Sequence, residues 1–191
     1  MDEQSSPGAP SAGLLRRLAA LVYDSLLLLA ILFVGTAPVL ALTGGEAITP
    51  AAKGPGAYLL YRAWLALLTF GYFGLAWTRG GQTLGLMAWK SRLETEDGRT
   101  PGWPVATRRF ALGLVFALAA EFGLRCLFEP GASAGTIAGG ILLLLPPCAN
   151  FAWIPFDARG RSLQDRVSGT RVRRVAMSVH APDRDRRDGG Q

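Results

Sequence analysis

Four windows of the 191-residue chain are apolar almost without interruption: 14–42, 57–77, 105–128 and 135–156. About twenty apolar residues suffice to cross a hydrocarbon core of about 30 Å as a helix. Inside hydrocarbon each backbone N–H and C=O must find its partner within its own segment, and helices of this length do that. The windows therefore imply an all-α membrane protein, a four-transmembrane-helix bundle. Composition agrees: 50% of the residues are hydrophobic and 18% charged, against about a quarter charged in a soluble domain. The windows use so much of the chain that no separate soluble domain fits.

The loops give the expected topology. Arg16 and Arg17 abut the first span, and the first connection, 43–56, carries only Lys53. The middle loop, 78–109, holds Arg79, Lys90, Arg92, Arg99, Arg108 and Arg109. The third connection has no base, and nine arginines follow Phe156. Alternation of basic-rich and basic-poor loops places both termini and the middle loop in the cytoplasm. Residues 1–12 form a Ser/Pro/Gly/Ala-rich tail, 13–174 the membrane domain, and 175–191 a polar tail; both tails are expected to be disordered. Asp24 interrupts the apolar run after Arg16-Arg17, and no small-residue cleavage site follows, so the first helix is expected to stay uncleaved.

Aromatic residues sit where interfacial belts are expected: Tyr58, Tyr61 and Trp64 at one end of the second span, Trp77 at the other, Trp103 before the third, Trp153 and Phe156 closing the fourth. Pro146-Pro147 is expected to kink the fourth span. Gly131, Gly135 and Gly139 recur every four residues, either as a packing stripe or from glycine-rich composition alone. In the middle loop, 80–93 reads as an amphipathic stretch lying at the membrane surface with Leu84, Leu86, Met87 and Trp89, and Asp97-Gly98 as a tight turn. Lys90-Ser91 fails as a phosphate loop, because Trp89 and Leu84 stand where glycines are required.

Net charge is +6, but the bases flank the spans and form no groove-reading element, which excludes nucleic acid as a partner. Eighteen of the twenty bases are Arg, a coding bias that carries no functional meaning by itself. Cys126 and Cys148 fall inside spans without metal spacing, and the single His180 lies in the polar tail. No nucleophile–base pair or metal cluster is present, so no enzyme, cofactor or metal is expected. The bilayer is the certain partner; a homo-oligomer or an unknown membrane partner is expected besides.

The spans hold four charges: Asp24, Arg62, Glu121 and Arg125. A carboxylate at mid-depth costs roughly 2.5–3.5 kcal/mol on insertion scales. Asp24 lies two turns from Arg17 on one face of the first helix, about 10 Å along the axis. It must pair across helices, hydrate in a cavity, or protonate. Glu121 and Arg125 have the spacing of an in-helix ion pair, and Arg62 can snorkel outward. Asp24 and Glu121 are candidates for an ion or proton relay; Arg62, Arg125 and Arg166 are candidate ion-pair partners. Buried pairs that fix packing are the competing reading.

Three motifs, RLAALVYD from Arg17 to Asp24, GQTLG with Gly81, Gln82, Thr83 and Gly85, and SLQDRVSGTRV around Asp165, resemble the RDD family of bacterial membrane proteins. The family is named for one arginine and two aspartates, which correspond to Arg17, Asp24 and Asp165. An Asp-Gly turn followed by a helix-opening arginine is matched by Asp97-Gly98 and Arg108 or Arg109. Two departures stand out: Gln164 replaces the His often found before the last aspartate, and Lys90 comes later than the family's loop lysine. The resemblance implies a multi-pass protein of the bacterial inner membrane and a role in transport, with sodium/proton exchange linked to some members. It also implies a latch in which Asp165 pairs with Arg17 or a middle-loop arginine. Transport of small cations, protons or small solutes is thus the first expectation. The alternative is a non-transport accessory or scaffold whose basic cytoplasmic face recruits a partner or anionic lipid.

Overall fold

The computed structural model describes residues 10–175. Four helices are long and apolar enough to cross a membrane: α1 (Leu14–Leu42), α2 (Pro50–Gly80), α4 (Trp103–Phe128) and α5 (Ala134–Ala152). Between α2 and α4 lie a short helix α3 (Leu84–Ala88) and strand β1 (Ser91–Thr95). After α5 come a 3-10 turn (Ile154–Phe156), α6 (Leu163–Ser168) and β2 (Thr170–Arg174).

Two of the expected spans change at their ends. α2 starts earlier, where Thr49 caps the first turn by accepting the Ala52 N–H at 3.1 Å, with Pro50 at the first helical position. The chain breaks at Gly54 (φ 79°, ψ 162°), a conformation glycine tolerates, and the helix restarts at Pro55. α5 runs through Pro146 and Pro147 as one helix and stops at Ala152, before the 3-10 turn.

α4 and α5 form a helical hairpin whose backbones come close where Gly123 meets Gly140. A Cβ on Gly123 would sit 2.9 Å from the Gly140 carbonyl, and one on Gly140 2.8 Å from the Gly123 carbonyl. The Gly131–Gly135–Gly139 stripe is not the packing surface: Gly139 has no neighbour for a Cβ within 4 Å, Gly135 meets only Ser133, and Gly131 is a turn residue at φ 76°.

A small cap built on a two-stranded sheet closes one end of the bundle. β1 and β2 pair antiparallel from Ser91↔Arg174 to Thr95↔Thr170. The β1 end turns at Gly98 (φ 80°), which donates to Thr95 O at 3.0 Å. On the other edge of β2, Ser11 bridges Arg173, and the Ala12 N–H donates to Val172 O at 2.9 Å. Residues 10–12 are therefore ordered, against the expected tail boundary at 12, because they complete the sheet. Residues 1–9 and 176–191, with His180, lie outside the described residues. Ala12, Trp77, Leu93, Ala106 and Val172 form the buried apolar core here, with Phe73, Leu86 and Phe110 packed against it.

The middle loop is also more than a surface-lying stretch. It folds back along α1, burying Thr83, Gly85 and Leu93, while Leu84, Met87 and Trp89 stay exposed. Thr83 caps α3 by accepting the Leu86 N–H at 3.2 Å. At Gly85 a Cβ would strike the Ala20 carbonyl and the Asp24 carboxyl, so only glycine permits this approach.

Candidate functional site

Asp165 sits at the centre of the cap with no exposed surface. It belongs to a capping box on α6: its N–H donates to Ser162 Oγ, and its Oδ2 accepts the Ser162 N–H, each at 3.1 Å. Arg17 Nη1 reaches Oδ2 at 2.5 Å and Arg109 Nη1 reaches Oδ1 at 2.6 Å. Burial pushes the Asp165 carboxyl upward, but the guanidiniums of Arg109 and Arg17 outweigh it and hold the group below its ordinary value.

Each arginine does more than neutralise. Arg17 also donates from Nε to Ala12 O and from Nη2 to Gly160 O, both at 2.9 Å. One guanidinium thus ties α1 to the N-terminal segment, the turn before α6, and α6 itself. Arg109, on α4, donates to Thr170 Oγ1 at 2.6 Å and lies 5.5 Å over the Trp77 ring. Arg108 donates to Ser168 O at 2.8 Å. Gln164 donates from Nε2 to Arg109 O, and its backbone N–H to Asn150 Oδ1, both at 2.8 Å. Gln164, which departs from the His often found there in the family it resembles, thus serves as an amide donor to α4.

Asp24 is buried too, at 5% exposure, but among the described residues no cation pairs with it. Its Oδ1 accepts from Tyr72 Oη at 2.7 Å and from the Gly85 N–H at 2.8 Å; its Oδ2 accepts from Thr83 Oγ1 at 2.6 Å. These three donors come from α2, α3 and the residue that caps α3. The GQTLG motif is thereby explained: Thr83 and Gly85 hold Asp24, Gly81 turns the chain at φ 67°, and Gln82 Nε2 pins Ser91 O at 2.9 Å.

Toward the other end of the bundle, Arg62 grips Glu121 with two bonds, Nη1 to Oε1 at 2.7 Å and Nη2 to Oε2 at 2.6 Å. Arg125 reaches the same Oε1 at 2.7 Å. Arg62 therefore turns to an anion on α4 rather than snorkelling. Arg166 does not join an ion pair in the cap; its guanidinium lies 5.8 Å over the Trp153 ring. The Asp24 and Glu121 groups are separate, with different partners on different segments.

The helices border an open cavity of about 480 Å³. Its lining includes Arg17, Asp24, Thr83, Arg109, Asn150 and Gln164 beside apolar side chains such as Phe73, Phe110, Phe116 and Leu28. Glu121 does not line it, although its neighbour Ala120 does. Among the described residues no group of three or more His, Cys, Asp or Glu converges as metal ligands would.

Tyr72 and Asn150 carry bonds in these clusters and had no sequence signal, because nothing in an apolar helix marks which hydroxyl or amide points inward; Thr170 stood in the last motif without an assigned role. Arg109 was visible only as one of two arginines opening a helix.

Four membrane-length helices, closed at one end by a cap built on a buried Arg–Asp–Arg triad, define a multi-pass helical membrane protein. The chain belongs to the RDD family, whose sequence model matches residues 11–169. Arg17, Asp24 and Asp165 all fall within that stretch. Neither a curated protein nor a solved structure matched the chain.

Proposed function

We propose that this protein transports a small, largely apolar solute through the cavity between its helices. It does so in the inner membrane of a bacterium, with the cap and both termini on the cytoplasmic side. The observation that carries the reading is the cavity itself: about 480 Å³ falls within the roughly 300–1,000 Å³ of small-molecule sites. Its largely apolar wall suits a hydrocarbon or aromatic body, and polar groups in the lining, Thr83, Asn150 and Gln164 among them, supply hydrogen bonds for orientation. We assign no catalytic step and no cofactor. A homo-oligomer fits the exposed apolar faces of the helices.

A proton or cation relay through Asp24 and Glu121 has less support. Glu121 is engaged by two arginines and stands outside the cavity lining, and Asp24 already accepts three hydrogen bonds. The accessory role rests on the basic cap alone.

Reconstitution of the full chain into proteoliposomes tests the reading. Ala117 lines the cavity; Ala117→Phe should block uptake of apolar solutes while the unfolding temperature stays near wild type. Uptake unchanged by the filled cavity sinks solute transport. Flux driven by a pH gradient and abolished by Asp24→Asn would transfer the assignment to the relay.

A further inference from the structure

The cap carries a second feature, on the outer face of its sheet. Alternate residues of a strand point to opposite faces, so Thr170 and Val172 enter the core while Arg171 and Arg173 face the other way. The turn before α6 brings Arg159 and Arg161 beside them, and Ser11 and Glu96 complete the lining of a hollow of about 140 Å³.

Three carboxylates face this group. Glu96 Oε1 accepts from Arg161 Nη1 at 2.6 Å. Asp157 Oδ2 accepts the backbone N–H groups of Arg159 and Arg161, each at 3.0 Å, and Arg161 Nε at 3.3 Å. Glu94 Oε2 lies 3.9 Å from Arg171 Nε and 3.8 Å from Arg173 Nη1, within Coulomb range of both. Among the described residues no carboxylate forms an ion pair with the Arg159 guanidinium.

The pairing is also incomplete as hydrogen bonding. Glu94 Oε2 and Arg171 Nε are both buried without a hydrogen-bond partner, so Glu94 attracts Arg171 without fixing its fork. Each guanidinium offers five N–H donors, far more than these carboxylate oxygens accept. Because arginine dominates the bases everywhere in this chain, its identity here carries no weight. What carries weight is convergence: a strand, a turn and the N-terminal segment bring these side chains to one concave place.

We propose that this hollow binds a phosphate-type anion, held by Arg159, Arg161 and Arg171. Guanidinium forks match phosphate oxygens two at a time and form charge-assisted bonds stronger than neutral ones. Ser11 lies three residues before α1 begins, so the hollow sits close to a span end. The phosphate can therefore belong to a lipid headgroup or to a soluble phosphate compound. The site is separate from the cavity and independent of the transport reading.

The test uses the full chain in neutral maltoside micelles. Inorganic phosphate is titrated against chloride at matched ionic strength, and phosphatidic acid is added to the micelles in a second arm, with the unfolding temperature as readout. A saturable rise with inorganic phosphate is expected. The double variant Arg159→Gln/Arg171→Gln should weaken it by about tenfold or more. A response to both ligands, with competition between them, or to inorganic phosphate alone assigns the site to soluble phosphates as well as headgroups or to soluble phosphates only. A response to phosphatidic acid alone assigns it to headgroups. No response to either, or a response the double variant leaves unchanged, overturns the proposal. If that variant does not fold, exposed Arg159 replaced alone by Gln should still weaken binding about threefold, and unchanged affinity overturns it equally.

Discussion

The two buried aspartates of the motif, Asp165 and Asp24, are satisfied by opposite means. Asp165 holds two guanidiniums and the start of a helix, with charge meeting charge. Asp24 holds three neutral donors, two hydroxyls and one backbone N–H, and among the described residues pairs with no cation. The consequence differs in kind. Removing Asp165 strands two buried positive charges, whereas removing Asp24 strands only neutral dipoles. One residue is therefore an electrostatic keystone for the cap. The other is a polar peg that fixes α3 on α1 and forms part of a cavity wall.

The largest test of that contrast is Asp165→Ala. Breaking a buried ion pair by deleting one partner costs about 3–5 kcal/mol, and loss of the cap on α6 adds about 1 kcal/mol. The variant should fail to give a stable monodisperse protein, or unfold far below wild type in a thermal scan. A milder result would show that Arg17 and Arg109 reach water when freed, and the cap is looser than its geometry. Acid offers the same test without mutation. The carboxyl's value is lower folded than unfolded, so its stabilisation is complete above the unfolded value of about 3.9. It then fades as pH falls through the lower folded value. Unfolding temperature should be insensitive to Asp165 between pH 5 and 8, on the order of those limits, and the Asp165-dependent part should be lost only in stronger acid.

Next in size is Asp24→Ala, which leaves three buried donors without an acceptor. At about 1–3 kcal/mol for a stranded group, with partial relaxation, a loss of roughly 2–4 kcal/mol is expected. Asp24→Asn keeps an acceptor for Tyr72 and Gly85, and its amide N–H can donate to Thr83, so its loss should stay within about 1 kcal/mol. Equal losses for Asn and Ala would show that the negative charge, not the hydrogen-bond shell, is what the site requires. Gly85→Ala attacks the peg from the other side. Its Cβ meets the Ala20 carbonyl and the Asp24 carboxyl, and since one of these is backbone the loop must shift, at about 1–3 kcal/mol. Thermal unfolding of the three variants in one detergent ranks them.

How much of this was legible beforehand follows from which forces act locally. The four helices were readable because apolar length alone sets them. Arg17, Asp24 and Asp165 were readable from their motifs, and Glu121–Arg125 from its spacing. The strands were not: Ser91–Thr95 and Thr170–Arg174 are short, charged, and become strands only by pairing with each other across more than seventy residues. Residues 10–12 read as tail because their composition is that of tails, yet β2 offers them an edge. The glycine stripe misled for the same reason. A four-residue repeat shows which residues share a face, but not which face a neighbour covers, and here Gly123 and Gly140 were chosen instead. Arg62 turned inward because Glu121 stands opposite on another helix, a fact of tertiary placement.

The smallest expected effect concerns Glu121, a half-buried carboxylate with 31% of its side chain open, which lies between the two extremes. Arg62 holds it with two bonds and Arg125 with one, and Arg125 is the most exposed member, with 62% of its side chain open against 28% for Arg62. An in-helix pair at this spacing is worth about 0.2–0.5 kcal/mol. Arg125→Ala leaves the bidentate Arg62 grip intact, so the loss should stay within that range. Arg62→Ala removes the cross-helix tie between α2 and α4 and should cost more. A double-mutant cycle on the two arginines measures the redundancy directly. Additive losses would mean each arginine acts alone; a larger-than-additive loss in the double variant means that Glu121 needs only one cation, and that Arg125 is held in reserve.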